Sequence, residues 1–261
     1  MITSKQRYTN HYLFDVLQWD VYTWKKALYY WDMVLSEWIS SRSLGDAQVL
    51  GEIQAAGEVQ TVGDMQAVAE IRALDIGARD GGLSLYLANK GIRVTCTDLH
   101  GPSEQAREMH HRYEVQDLVE YAEVDATSMP FDDESFDLVV FKSMLGAVGQ
   151  SLGIPAVDRV IAEVRRVLKP GGMVLFAENQ EGSRFHQWAR PRFMPWGATY
   201  YYLPQSEIKR LFSNFEGFGF QAYGFTACAK KDFLPLAILD RIICLTKQSK
   251  RYYMVFGHAL K

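Results

Sequence analysis

Residues 71–82, Ile-Arg-Ala-Leu-Asp-Ile-Gly-Ala-Arg-Asp-Gly-Gly, constrain the fold more than any other stretch of the chain. An apolar run ends on an acid, Asp75. It passes into a glycine-bearing turn, and then into an amphipathic segment with Leu83, Leu85, Leu87 and Ala88. Strand, turn and helix in this order are how a doubly wound α/β sheet builds a nucleotide site. Gly77 and Gly81 let backbone approach a ligand where a Cβ would stand in the way. The first turn of the following helix offers unpaired N–H groups to an anionic end.

From residue 71 onward the chain alternates. Strands are predicted at 71–76, 92–97 (ending at Asp98), 119–125 (ending at Asp125), 136–142 and 173–178. Helices are predicted at 81–90, about 103–116 with Ser103 as N-cap, and 155–168. Lys169-Pro170-Gly171-Gly172 stops the last of these. Such alternation implies right-handed crossovers and a mostly parallel, buried sheet. The run Met173-Val174-Leu175-Phe176-Ala177 is continuously apolar, as a strand covered on both faces should be. A helix at 205–215, a strand at about 218–228, an apolar helix from Phe233 to Leu245 and an antiparallel strand over 251–258 complete the pattern. The expected fold is a Rossmann-like α/β sheet of seven mostly parallel strands, with helices on both faces and the last strand antiparallel.

Ahead of the sheet, residues 8–38 are rich in aromatic residues. Trp24, Trp31 and Trp38 recur every seven residues, and Ala27, Leu28, Val34 and Leu35 fill the same stripe. A helix with this stripe packs on the body of the protein. Its opposite aromatics, such as Tyr22 or Tyr29, are placed to roof a pocket. Residues 1–45 are therefore read as a helical cap, and residues 46–261 as the main domain. Residues 40–69 read as a surface connection with one short helix.

A chain of 261 residues holds one large core, and 48% hydrophobic with 23% charged residues suits an ordinary globular protein. A formal charge of -3 gives no global attraction to nucleic acid. Cys96, Cys228 and Cys244 are too few and too scattered for a disulfide framework or a zinc knuckle, so free buried thiols, a cytoplasmic setting and no metal are expected. No run reaches the roughly 18 apolar residues of a membrane span.

The ordered set Asp75-x-Gly77-x-x-x-Gly81, Asp98, Asp125-Ala126, Phe136-Asp137-Leu138-Val139-Val140 and Leu168-Lys169-Pro170-Gly171-Gly172 resembles the class I S-adenosylmethionine-dependent methyltransferases. The resemblance covers roughly residues 70–180, with the acceptor loop at about 179–203. Within the family it is most similar to small-molecule enzymes that modify sugars and polysaccharides. It implies S-adenosyl-L-methionine as cofactor and S-adenosyl-L-homocysteine as product. Gly77 and Gly81 would then let backbone close on the methionine end, with Asp75, Ala78 and Arg79 among the cofactor-binding residues. Asp98 would accept both ribose hydroxyls, and Asp125 with the Ala126 backbone would take the adenine edge. Leu99 and Met129 would lie beside the ring. The departure is Arg79, where the family carries a glycine. Three readings stand: the turn has another shape, the arginine grips an acid as a bidentate fork, or it is merely solvated.

Methyl transfer from a sulfonium is an in-line displacement, and alignment supplies most of the rate. A base is needed only for a hydroxyl or a protonated amine, and it must come from the loops at the strand ends. His186 is the first candidate, for its near-neutral pKa. Glu178 at a strand end is the second. Lys142 either faces the cofactor or orients a substrate acid. Tyr200-Tyr201-Tyr202 either stacks on a sugar face or packs. The acceptor is expected to be a small molecule or glycan, methylated on oxygen or, less readily, nitrogen. Residues 230–251 combine basic and apolar residues. That suits either a helix over the last strands or contact with an anionic membrane face. Two other readings remain. A nicotinamide-dependent oxidoreductase would want Gly-x-Gly-x-x-Gly, which this turn lacks. A non-catalytic binder of the same cofactor is made conceivable by Arg79.

Overall fold

The computed structural model describes residues 10–17, 21–44, 68, 70–193, 200–225 and 251–261. Among the described residues, seven strands form one sheet: β1 (Arg72–Ile76), β2 (Arg93–Asp98), β3 (Val119–Glu123), β4 (Phe136–Lys142), β5 (Leu168–Asn179), β6 (Glu216–Tyr223) and β7 (Met254–Leu260). Their order is β3-β2-β1-β4-β5-β7-β6. β7 runs antiparallel to both of its neighbours, and the other neighbouring pairs are parallel. The strand order reverses between β1 and β4, which opens a crevice at their carboxyl ends.

The sheet is covered on both faces, and the apolar runs show why. In β4, Leu138 and Val140 enter one core, while Val139 and Phe141 enter the other. The first core is closed by helices α1 (Asn10–Leu17), α2 (Val21–Leu44) and α3 (Gly82–Ala88). The second is closed by α6 (Ile154–Val167) and α8 (Gln205–Leu211). Helix α4 (Glu104–Arg112) has Ser103 as its N-cap, its side chain accepting from the Ala106 N–H, as the sequence predicts.

The aromatic stripe of α2 docks on the antiparallel side of the sheet. Trp31 is buried, and its Nε1–H donates to the Gly257 carbonyl at 3.3 Å. Trp38 donates to the Gly171 carbonyl at 3.0 Å. Near the helix end, Arg42 reaches Asp137 at 2.6 Å, where Lys169 Nζ also lies 2.9 Å from the carboxylate. Tyr29 points outward and is 49% exposed. The Trp24 and Tyr22 side chains lie outside the described residues, as do most of the 40–69 connection and the helix expected over Phe233–Leu245.

Two helices escape the sequence pattern. Helix α5 (Leu145–Leu152) follows β4, and α7 (Arg184–Phe193) occupies part of the stretch read as a long loop. Gly146 and Gly149 lower the helix propensity of α5 by about 1 kcal/mol each. The structure uses both: a Cβ on Gly146 would meet the Tyr200 ring at 2.2 Å, and one on Gly149 the Tyr201 ring at 2.5 Å. The tyrosine run therefore seats its first two rings on the glycine face of α5. Lys169-Pro170-Gly171-Gly172 does end a helix, but it is also the first part of β5, with a register shift opposite Phe136–Leu138.

Candidate active site at the strand tips

The turn after β1 is held from several sides. The Ala78 N–H donates to the Thr97 carbonyl at 2.8 Å, and the Arg79 N–H donates to Asp98 Oδ2 at 2.9 Å. The Thr97 hydroxyl donates to the Asp75 carbonyl at 2.8 Å. Gly77, Arg79 and Gly81 all carry positive φ, at 67°, 51° and 72°. Arg79 therefore adopts the left-handed conformation that glycine takes most readily. Its side chain is 69% exposed, with Nε 3.5 Å from Asp80 Oδ2. Left-handed backbone costs a non-glycine residue roughly 1–2 kcal/mol. Arg79→Gly should therefore raise stability in urea titrations, by up to about 1 kcal/mol after glycine's entropy cost. A loss of stability would mean that the side chain contributes more than its backbone costs.

Asp75 is buried beneath this turn. The Ser84 hydroxyl donates to its Oδ2 at 2.7 Å, and Oδ1 has no partner among the described residues. Burial pushes its pKa up to about 7, against the Ser84 hydrogen bonds and the nearby Lys142 charge. A buried acceptor without a donor is uncommon and costs free energy.

Asp98 ends β2, half-buried, and Leu99 beside it is 53% exposed. The Val124 N–H donates to the Asp98 carbonyl at 2.9 Å, which ties the tips of β2 and β3 together. Asp125 and Ala126 follow β3. Asp125 Oδ1 accepts from the Thr127 N–H and hydroxyl at 2.8 and 2.7 Å, and these bonds hold its pKa below the usual carboxylate range. Asp75 and Asp98 thus lie at the ends of β1 and β2, and Asp125 two residues beyond β3, which ends at Glu123 and not at Asp125, all toward the carboxyl end of the parallel strands. Met129 is buried close by in the sequence, in the core under β4.

The three candidate catalytic side chains have other occupations. Lys142 is at the end of β4, and its Nζ donates to the Leu17 carbonyl at the end of α1 at 2.6 Å. Burial pushes its pKa down to about 8. Glu178 is fully buried near the end of β5. Its Oε1 accepts from the Met144 and Leu145 N–H groups at 2.8 and 2.7 Å, and its Oε2 from the Tyr200 hydroxyl at 3.2 Å. It caps the start of α5, and burial pushes its pKa up to about 7. Lys142 and Glu178 do lie on neighbouring strand tips, since Lys142 pairs with Ala177.

His186 is the correction. It sits fully buried on α7, not in an open loop. Its Nε2 lies 2.6 Å from the Phe225 carbonyl, which only accepts, so Nε2 carries the proton. Its Nδ1 accepts from the Ser183 N–H at 3.1 Å and lies 2.9 Å from the Ser183 hydroxyl. No lone pair is left to take a proton from an acceptor. The ring stitches α7 to the bend after β6, and the expected role as base does not survive this geometry.

Among the described residues, no group of three or more His, Cys, Asp or Glu side chains is placed to hold a metal ion. No described helix is long and apolar enough to cross a membrane. Cys96 is a buried free thiol whose pKa burial pushes well up. Cys228, Cys244 and the 230–251 segment lie almost wholly outside the described residues.

Comparison with known proteins agrees with this architecture. Residues 74–176 match the family model described as a methyltransferase domain. The chain is 39% identical over 115 residues to a malonyl-[acyl-carrier protein] O-methyltransferase of Geobacter sulfurreducens, covering 43% of this chain and 40% of that protein. It is 36% identical over 109 residues to a glycine/sarcosine/dimethylglycine N-methyltransferase of Actinopolyspora halophila, covering 41% of this chain and 18% of that one. The chain thus spans well under half the length of these relatives. A crystal structure of a SAM-dependent methyltransferase from Methanosarcina mazei superposes with a TM-score of 0.50 at 25% identity, covering 73% of this chain and 92% of that one. Residues 74–176 are thus similar to the methyltransferase domain family.

Proposed function

We propose that this chain is a methyltransferase that binds S-adenosylmethionine across the tips of β1, β2 and β3 and methylates a small molecule. The observation that carries the reading is the buried Asp75 oxygen, unpartnered among the described residues, beneath a turn with three positive-φ residues. Such an oxygen fits a ligand's donor group. Gly77, Ala78 and Gly81 offer the close-approach backbone, Asp98 the carboxylate for a ribose diol, and Asp125 with Ala126 the edge for adenine. Leu99, exposed beside Asp98, offers apolar cover. Bound there, S-adenosylmethionine would supply an electrophilic methyl group on a sulfonium. The chain's own task is then to orient it and to exclude water.

Oxygen is our preferred acceptor atom and nitrogen the alternative; the two relatives above are named for one of each. A glycan-type acceptor is the narrower reading. It rests on the tyrosine run, and the seating of Tyr200 and Tyr201 on α5 weakens it. Glu178 remains the second candidate base, and Lys142 the candidate to face the cofactor or orient a substrate acid. We take residues 1–45 as a cap on a main domain of 46–261. Contact of 230–251 with an anionic membrane is a further expectation. The nicotinamide reading finds no support in a turn whose two glycines stand four residues apart.

Titration calorimetry with S-adenosylhomocysteine, and separately with NAD, tests the proposal. Asp98→Ala should weaken binding of the former by about 1–3 kcal/mol, because a carboxylate that accepts charge-assisted or paired hydrogen bonds is lost. Unchanged affinity would put the ribose elsewhere. Binding of NAD in its place would overturn the reading.

A further inference from the structure

Helix α4 carries a histidine that the reaction does not call for. His110 is fully buried. Its Nε2 lies 2.9 Å from the Gly81 carbonyl, and its Nδ1 lies 2.8 Å from the Tyr121 hydroxyl on β3. A carbonyl only accepts, so Nε2 carries the proton. Nδ1 therefore offers its lone pair, and Tyr121 donates to it. The two partners fix one neutral tautomer. Burial also holds the imidazole pKa below its ordinary value.

The carbonyl that receives this proton belongs to the last residue of the glycine turn. Gly81 is the N-cap of α3 at φ 72°, and its oxygen also accepts the Leu85 N–H at 2.9 Å. The fit is steric as well as polar. A Cβ on Gly81 would stand 2.7 Å from the His110 ring and 2.9 Å from Ala106. The imidazole thus fills the hollow that a glycine leaves and anchors the carbonyl beside it. Tyr121 is itself held, stacked at 5.7 Å on His110 and with the Arg107 guanidinium 4.1 Å from its ring centroid.

We infer that His110 and Tyr121 are a positioning pair that fixes the curvature of the turn from behind. Tyr121 and the Gly81 carbonyl together set the tautomer, His110 holds that carbonyl, and the backbone path of the turn is thereby kept in place. The inference rests on the proposed donor site. It concerns no group that touches a ligand.

Two variants test it. His110→Phe fills the hollow without donating, and His110→Gln donates without filling it as well. His110→Phe should raise the dissociation constant for S-adenosylhomocysteine about five- to tenfold, the loss of one hydrogen bond to a buried carbonyl. His110→Gln should recover part of that loss. A thermal melt reports whether each variant is folded. Equal affinities of wild type and folded His110→Phe would overturn the inference. A second readout needs no ligand. Nitrogen NMR of the ligand-free chain should show His110 protonated at Nε2 alone, with an Nδ1 signal that Tyr121→Phe moves because its hydrogen bond is lost. Protonation at Nδ1, or an Nδ1 signal unmoved by Tyr121→Phe, would also overturn the pairing. If wild type binds no S-adenosylhomocysteine while the Nδ1 shift appears, the donor-site reading fails and the His110–Tyr121 pair stands as the anchor of the turn.

Discussion

Gly82→Ala should cost the protein about 3 kcal/mol or more, although glycine to alanine inside a helix ordinarily gains about 1 kcal/mol. Gly82 opens α3, and α1 ends directly against it. A Cβ there would stand 2.1 Å from the Val16 carbonyl oxygen and 2.9 Å from its carbon. Those atoms are backbone in the last turn of α1, so no rotamer change relieves the overlap. The chain must move α1 instead. That movement pulls Leu13, Val16 and Leu17 out of the first core, where all three are buried. It also takes the Leu17 carbonyl away from Lys142, leaving a half-buried ammonium without that acceptor. Urea unfolding checks the magnitude, and limited proteolysis within 1–20 checks the mechanism. A stabilised Gly82→Ala would show that α1 does not lie on the turn.

Asp75→Asn should stabilise the protein at pH 8 and remove part of its pH dependence. The sign follows from the shift. The carboxyl has its pKa raised from 3.8 to about 7 in the folded state, chiefly by burial. Between these values the native state binds more protons than the unfolded state, so stability falls as pH rises. A shift of this size corresponds to something on the order of 4 kcal/mol, fully present below the unfolded value and lost by the time pH passes the folded one. Glu178, raised to about 7 from 4.5, slopes the same way and remains in the variant. The amide keeps an oxygen for the Ser84 hydroxyl but has no charge to desolvate. Urea titrations from pH 5 to pH 8 should show a shallower decline in the variant and a gain of a few kcal/mol at the upper end. The same change should weaken binding of S-adenosylhomocysteine, because the buried acceptor reserved for a ligand is altered. Parallel pH profiles for the two proteins would mean that Asp75 is not charged against its burial.

Strands are legible in this sequence because burial on two faces leaves apolar runs, as in Met173–Ala177 of β5, and β4 has the predicted bounds of Phe136–Lys142. The positions of Asp75, Asp98, Gly77 and Gly81 at strand ends are legible because turn chemistry is local. The meaning of Arg79 is not. A side chain states nothing about its own φ, and only the surrounding hydrogen bonds to Thr97 and Asp98 reveal that the left-handed conformation is imposed. Helix α5 is hidden because its two glycines argue against a helix until Tyr200 and Tyr201 arrive from more than 50 residues away. His186 misleads for the same reason. Its partner, the Phe225 carbonyl, is 39 residues distant, and a histidine's protonation state is set by what it touches.

The central claim is that one adenosyl ligand spans the tips of β1, β2 and β3. A crystal of the full chain grown with S-adenosylhomocysteine tests it directly. The claim predicts ligand density with the ribose on Asp98, the adenine edge at Asp125 and Ala126, and a donor supplied to Asp75 beneath the 77–81 turn. Density elsewhere, or none at saturating ligand, would contradict it.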